Sequence, residues 1–532
     1  MVKKFSMLAL AGLMALPASG IAGAGAAPQD LERKIDELAR QLDALKAQLA
    51  QQNEAMVQYG DTVDDMDELL SEKSEAWDLA ARFKFYGDFR ARADYYSASN
   101  LFAAGTPLQM TGMNPATGQP IYATQSMGNQ ENDTILTNRL RLNMRVKATE
   151  NLEFKGRLAM YKAWGMQSTP ANLAGGYPIF DGNTTRTPND SALYVDRAFV
   201  NWNNIGGMPI WFSIGRRPTT DGPPAHIRMG NDSRMATPPG YFDYPFDGIA
   251  LGYGWDWNVE SMGTSRIRFC YGRGFENGLQ WDKDTNPYPL DDTDFAGLSW
   301  DILKKGSRFL NLQVFGVYNL FNYPAFSDDF VRFGASFPQE DGGFGPQMDL
   351  GQMYHTAGVF MDKVSNLNYF IAGGWSHTDP NGNGMFNDVY GMAMGQAGAN
   401  TGSEDGYSVY AGVRYDMDDL GLKIGAEYNY GSQYWIAFTP GHDDLYMSKL
   451  ATRGNAYELY MLYDLPTGEA ISKYAQTFIR LGWQYYDYNY AGGSDYNLKP
   501  YDLDDEKSAL QALGLNPVES AHQVYLTFEA YF

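Results

Sequence analysis

The sequence predicts an all-β chain, a sixteen-stranded antiparallel transmembrane β-barrel preceded by an α-helical coiled coil. Three observations predict it: long segments in which apolar and charged residues alternate strictly, links between them that are alternately short and long, and a heptad-spaced segment ahead of the first of them. The clearest segment is Thr137 to Lys162. Side chains on a strand point to opposite faces in turn, so Leu140, Leu142, Met144, Val146 and Ala148 share one face while Arg139, Arg141, Asn143, Arg145 and Lys147 share the other. After the turn Thr149-Glu150-Asn151 the pattern resumes, with Leu152, Phe154, Gly156, Leu158 and Met160 set against Glu153, Lys155 and Arg157. A soluble sheet needs a second layer over such an apolar face. In lipid the bilayer covers it, and the charged face lines water inside a closed cylinder.

Composition agrees. Aromatic residues make up 14% of the chain and mean hydropathy is −0.41, a turn-rich and moderately polar balance that suits an all-β chain better than an α/β enzyme. The formal charge of −22 argues against nucleic acid as a partner and becomes more negative if Lys3 and Lys4 are removed with a leader. One cysteine, Cys270, excludes an internal disulfide framework, and no CxxCH haem-attachment motif is present.

Residues 1–26 read as a secretory signal peptide: Lys3 and Lys4, an apolar run from Phe5 to Leu16, then small residues up to Ala26. Residues 27–80 carry the heptads. Ile35, Leu42, Leu49, Met56, Val63 and Leu70 fall at a positions, with Leu31, Leu38, Leu45, Tyr59 and Met66 at d. A stripe that narrow predicts a coiled coil placed in the periplasm; it does not separate two strands from three.

From Arg82 the period changes to two, and residues 81–532 form the barrel region. Phe83, Phe85, Phe89, Ala91 and Tyr95 alternate with Lys84, Asp88, Arg90, Arg92 and Asp94 in the first strand. Further strands are predicted near 137–148, 152–163, 192–203, 209–217, 246–256, 264–273, 294–304, 307–321, 353–363, 366–377, 405–417, 420–431, 455–465, 474–488 and 521–532. Short links such as 149–151, 204–208, 304–306, 363–366 and 418–419 alternate with long ones such as 97–136, 218–245, 322–352, 378–404 and 489–520. Outer-membrane barrels are built with short periplasmic turns, long outer loops and an even strand number. Tyr95-Tyr96, Trp255 and Trp257, Tyr434-Trp435 and Tyr485 through Tyr490 are expected at interfacial girdles.

The last residues, VYLTFEAYF, place Val524, Leu526, Phe528, Ala530 and Phe532 on one face and end in an aromatic. Here the chain resembles the outer-membrane porins, and the resemblance extends through Arg90-Ala-Arg-Ala-Asp-Tyr-Tyr96, Arg139-Leu-Arg-Leu142, Val195-Asp-Arg-Ala-Phe-Val-Asn-Trp202, Ile214-Gly-Arg-Arg217 and Phe246-Asp-Gly-Ile249. The whole is also similar to porins of metal-respiring anaerobic bacteria. The resemblance implies passive diffusion of small hydrophilic solutes or ions, a homotrimer, and contact with outer-membrane lipid and lipopolysaccharide. It further implies that the third long loop, 218–245, folds inward as a constriction, with Asp221, His226, Arg228, Asp232, Arg234 and Asp243 as its charged residues. Opposite that loop stands a pore-lining basic ladder of Arg90, Arg92, Arg139, Arg141, Arg145 and Arg157. Opposed charges at a narrow point orient dipolar solutes; the same arginines in a wide lumen only form wall ion pairs.

No resident cofactor is expected. Acidic clusters at Asp291-Asp292, Asp328-Asp329, Asp443-Asp444 and Asp504-Asp505-Glu506 are candidate Ca²⁺ or Mg²⁺ sites in outer loops. Asp379, Asn381 and Asn383 open like a calcium loop, but Tyr390 replaces its bidentate glutamate. No catalytic constellation is present: of the five histidines only His377, beside Ser376 and Asp379, has a suitable neighbourhood, and no supporting pattern surrounds it. The competing reading is a structural barrel or sheath associated with extracellular electron-transfer cytochromes, which would require a lumen filled by another protein.

Overall fold

The computed structural model describes residues 33, 35–51, 82–99, 109–113, 120–123, 129–165, 191–217, 219, 221–230, 240–279, 290–322, 348–439, 448–493, 495–512 and 517–532. The chain divides into two units, Met1–Ala81 and Arg82–Phe532. In the first, residues 35–51 are helical, and Ile35, Leu38, Leu42, Leu45 and Leu49 of the heptad stripe are all exposed. The signal peptide and the later heptads lie outside the described residues.

The second unit is a closed antiparallel barrel of sixteen strands. In chain order these are β1 Phe83–Ala98, β2 Gln130–Lys147, β3 Leu152–Ala163, β4 Tyr194–Trp202, β5 Ile210–Arg217, β6 Phe246–Asp256, β7 Thr264–Phe275 and β8 Thr293–Lys305. They continue as β9 Arg308–Asn322, β10 Met348–Val364, β11 Leu367–Pro380, β12 Asp405–Met417, β13 Leu422–Gly431, β14 Gly454–Asp464, β15 Gln476–Tyr488 and β16 Ser520–Tyr531. Each strand pairs with its sequence neighbour, and β16 returns to β1 to close the ring. A short hairpin, Gln109–Met113 with Pro120–Ala123, stands apart from the barrel sheet.

The two faces separate as the alternation predicts. On β14, Leu459 is 54% exposed while its neighbour Glu458 is 1% exposed. Leu142, Ile214, Leu251, Val409, Leu526 and Phe528 are likewise exposed, on the outer face. Arg139, Arg141, Arg414, Arg480 and Glu529 are buried on the inner one. Of the expected girdle residues, Tyr485 joins an outer row with Tyr428, Tyr457 and His522, whose ring centroids step across four strands at 5.2, 6.2 and 4.7 Å. Two expectations need correction. Tyr96, Tyr486 and Tyr488 are buried inward, because alternation sends them to the face opposite Tyr95 and Tyr485. Trp435 is fully buried inside the barrel, with its indole N–H donating to the Leu450 carbonyl at 2.8 Å.

β2 begins at Gln130, seven residues before the predicted Thr137, and β10 begins at Met348 where 353 was expected. The closing seam is held at its end by reciprocal backbone bonds between Gly87 and Phe532, at 2.9 and 3.0 Å. A Cβ on Gly87 would lie 2.4 Å from the Arg141 carbonyl oxygen, so a side chain there pushes β1 off β2. Gly87→Val should therefore cost about 1–3 kcal/mol of barrel stability, read as a lower melting point of the compact, heat-modifiable band on unheated gels.

Candidate functional site

The interior is organised by like charges set directly opposite one another on paired strands. Arg157 on β3 faces Arg197 on β4, and Glu427 on β13 faces Glu458 on β14. Such pairs repel unless a counter-charge comes between them. For Arg157 the strand residue Asp196 supplies part of it, and for both pairs loops reach in with the rest.

The third loop crosses the interior between them. At one end Asp221 accepts hydrogen bonds from Arg141, Arg157 and Arg197 at 3.2, 2.8 and 3.1 Å. At the other, Arg228 donates to Glu458 at 3.1 Å. Backbone carbonyls fix the intervening turn: Arg414 donates to the Ile227 oxygen at 2.7 Å, Arg480 to that of Arg228 at 3.1 Å and Gln476 to that of Gly230 at 2.9 Å. The loop is thus a strap with a negative end seated in a basic wall and a positive end seated in an acidic one.

A second loop, between β13 and β14, enters from its own side. Lys449 ion-pairs with both Glu427 and Glu458. Trp435, Ile436, Ala437 and Phe438 pack inside, and Phe242 of the strap forms a parallel bridge with Phe438. Asp243 accepts from the Asp221 amide at 2.9 Å, tying the return of the strap to its start. Above these, the β11–β12 and β15–β16 loops pair through Asn387 and Leu498, and Phe386 donates to Tyr496 at 2.9 Å.

The predicted arginines are on the inner face, but they are not a bare ladder. Asp88 accepts from Arg139 at 2.9 Å and from Arg141 at 2.8 Å. Arg92 pairs with Asp94 at 2.8 Å, Arg145 with Glu153 at 2.5 Å, and Arg157 with Asp196. Arg90 stands opposite Arg139 on one side and Glu529 on the other. Of the predicted constriction residues, Asp221, His226, Arg228 and Asp243 are buried in the interior, where Asp243 accepts from the strap's own backbone. Asp232 and Arg234 lie outside the described residues.

Sequence reading missed Asp88, Arg197, Glu427, Lys449, Glu458 and Glu529. Single charges in alternating strands carry no register, so their cross-strand partners are invisible. The one available signal was Trp435 to Phe438, four consecutive apolar residues in a long outer loop.

Several of the cation candidates have partners within the chain. Asn381 and Asn383 both donate their side-chain amides to the Asp349 carbonyl, at 2.8 and 2.7 Å, which is the chemistry of a turn. Asp292 pairs with Arg273 at 2.5 Å and Glu506 with Lys499 at 2.7 Å. Asp328-Asp329 and Asp443-Asp444 lie outside the described residues. Among those described, no group of three His, Cys, Asp or Glu side chains gathers as a metal site.

A family model described as "Protein of unknown function (DUF3373)" matches residues 129–532. The chain belongs to this family. The match takes in β2 to β16, so in this DUF3373 chain only β1 of the barrel falls outside it. No curated protein matches. Among solved structures the chain is similar to OmpT, an outer-membrane protein of Vibrio cholerae in its trimer form, at 11% identity and a TM-score of 0.38, over 85% of this chain and 99% of that one. It is also similar to the outer-membrane channel DcaP of Acinetobacter baumannii, at 10% identity and a TM-score of 0.37, over 85% and 97%. Likeness at that level transfers neither ligand nor assembly to the DUF3373 barrel.

Two measurements check this interior. Lys449→Met leaves Glu427 and Glu458 facing each other with Arg228 alone between them, and should lower unfolding stability by about 3–5 kcal/mol. Adding Glu427→Gln should recover most of that loss, because the repulsion goes with the charge. In the upper loops, burial pushes the Asp495 carboxyl up to about 6, offset in part by the Asn497 amide and the charge of Arg453. A raised carboxyl pKa favours the folded state most below its unfolded value and loses that contribution as pH rises through about 6. Relative to Asp495→Asn, the wild-type 489–512 segment should resist protease better at pH 4 than at pH 8.

Proposed function

We propose that this protein is an outer-membrane porin that passes small hydrophilic solutes or ions down their gradients through a lumen narrowed by the strap. The observation that carries the reading is the strap itself: a charged segment seated between a basic and an acidic wall inside a closed barrel whose outer face is apolar. Apolar side chains facing outward all round the ring need hydrocarbon to cover them, and a sixteen-strand barrel encloses space for water. Where the strap crosses, oppositely charged walls make a transverse field. Dipolar solutes align in such a field, and ions of either sign meet a wall of the opposite charge.

In this reading the outer membrane supplies lipid and lipopolysaccharide contacts, and divalent cations bridge lipopolysaccharide to the acidic outer loops. The exposed leucine stripe on 35–51 supports self-association through a periplasmic coiled coil, and we favour a homotrimer. No bond-making chemistry and no resident cofactor are part of the proposal. The sheath reading is weaker on a specific ground: loops of the chain itself pack against the inner wall, where a cytochrome would have to sit.

Asp221 neutralises three arginines of the basic wall, so removing its charge should alter selectivity without touching the barrel strands. In planar bilayers, wild-type protein should give stepwise single-channel currents, and Asp221→Asn should shift the reversal potential under a salt gradient toward anions. Absence of channels in the wild type, or an unchanged reversal potential in the variant, would contradict the proposal.

A further inference from the structure

The interior holds a second charged place, away from the strap's two sockets. Between the root of the third loop and strands β5 to β9 lies a half-open cavity of about 70 Å³, set in a larger recess that is continuous with open space. Arg217 of β5, Arg268 and Cys270 of β7, Ser299 of β8 and Gln313 of β9 line it. Its apolar wall is a stack of rings: Phe246 lies 4.3 Å from Phe295 and 5.1 Å from Phe242, and Phe242 lies 4.7 Å from Phe315.

Among the described residues, the side chains lining this cavity leave one guanidinium without a counter-charge. Asp301 serves Arg266 at 2.6 Å and Arg268 at 3.6 Å. The Arg217 guanidinium makes no ion pair or hydrogen bond with any described residue, its Nη1 is buried, and it rests 5.9 and 5.7 Å from the ring centroids of Phe199 and Trp211. Gln313 is 3% exposed, and its Nε2 likewise has no acceptor among the described residues. The Thr219 hydroxyl, also on the lining, is buried without a partner among them. A buried guanidinium N–H and a buried amide N–H left unmatched are costly, and a bound oxyanion removes that cost.

We propose that this cavity is a binding site for a small ring-bearing carboxylate, its oxyanion on Arg217 and Gln313 and its ring against the phenylalanines. Guanidinium and side-chain amide together present several N–H donors to a carboxylate, and the phenylalanine cluster offers an apolar face beside them. The proposal deepens the channel reading and rests on it for the site's purpose, a station for organic anions on the way through the lumen. Binding itself is measurable apart from conductance.

The test uses the full-length barrel in detergent with benzoate as probe. Benzoate should bind saturably by calorimetry and slow alkylation of Cys270, which lines the same cavity. Arg217→Met, a substitution that removes a half-buried charge with no ion-pair partner among the described residues and so should not lower the melting point, should weaken binding about 10-fold or more. Benzyl alcohol, with the ring but no charge, and inorganic phosphate, with charge but no ring, should both bind far more weakly. Benzoate affinity unchanged by Arg217→Met, or phosphate binding as tightly as benzoate, would overturn the proposal. A barrel that conducts but shows no Arg217-dependent binding loses this site and keeps the channel. One that binds benzoate through Arg217 but never conducts keeps the site and loses the channel.

Discussion

Everything in this barrel follows from the demand that charges withdrawn from bulk water be matched. Closing the sheet puts one face of every strand toward the inside, and the chain fills that face with arginine, aspartate and glutamate. Buried ions held only by their like-charged neighbours would cost several kcal/mol each. The chain meets this demand across the interior as well as along the strands. Arg157 and Arg197 receive Asp221 from the third loop, and Glu427 and Glu458 receive Arg228 and Lys449 from two different loops.

That solution ties shape to function. A loop held only by apolar packing could lie against either wall, whereas one with opposite charges at its ends must span the distance between their sockets. The strap's position inside the barrel is therefore set by those sockets. The same economy makes the exception informative. Among the described residues Arg217 has no such partner, and it lines a cavity with an aromatic wall.

Much of the fold was legible in the sequence because lipid and water enforce a period of two. The sixteen strands, their order and their facing follow from the alternation of residues such as Leu140 and Arg141, and from the alternation of link lengths. Boundaries failed where the pattern stopped being informative. Gln130 to Thr134 at the start of β2 are all exposed and polar, so nothing in their spacing marks a strand. The site was half legible. The inward arginines and the third loop were visible as residue types, but the pairing of Arg157 with Arg197, or Glu427 with Glu458, depends on register, which no single strand encodes. Trp435 shows the same limit: an aromatic in a long loop reads equally as an interfacial anchor or as part of a packed interior, and only the neighbouring Ile436, Ala437 and Phe438 favoured the second.

The most direct test of the central claim is a distance across the lumen. With Cys270 replaced by serine, cysteines at positions 228 and 458 in the lipid-embedded barrel should be joined by a short flexible bis-maleimide, giving a cross-linked species that migrates differently after full denaturation. Efficient cross-linking is the predicted result. A correctly folded, heat-modifiable barrel in which both thiols react singly and never join would contradict a strap that spans from the basic wall to Glu458.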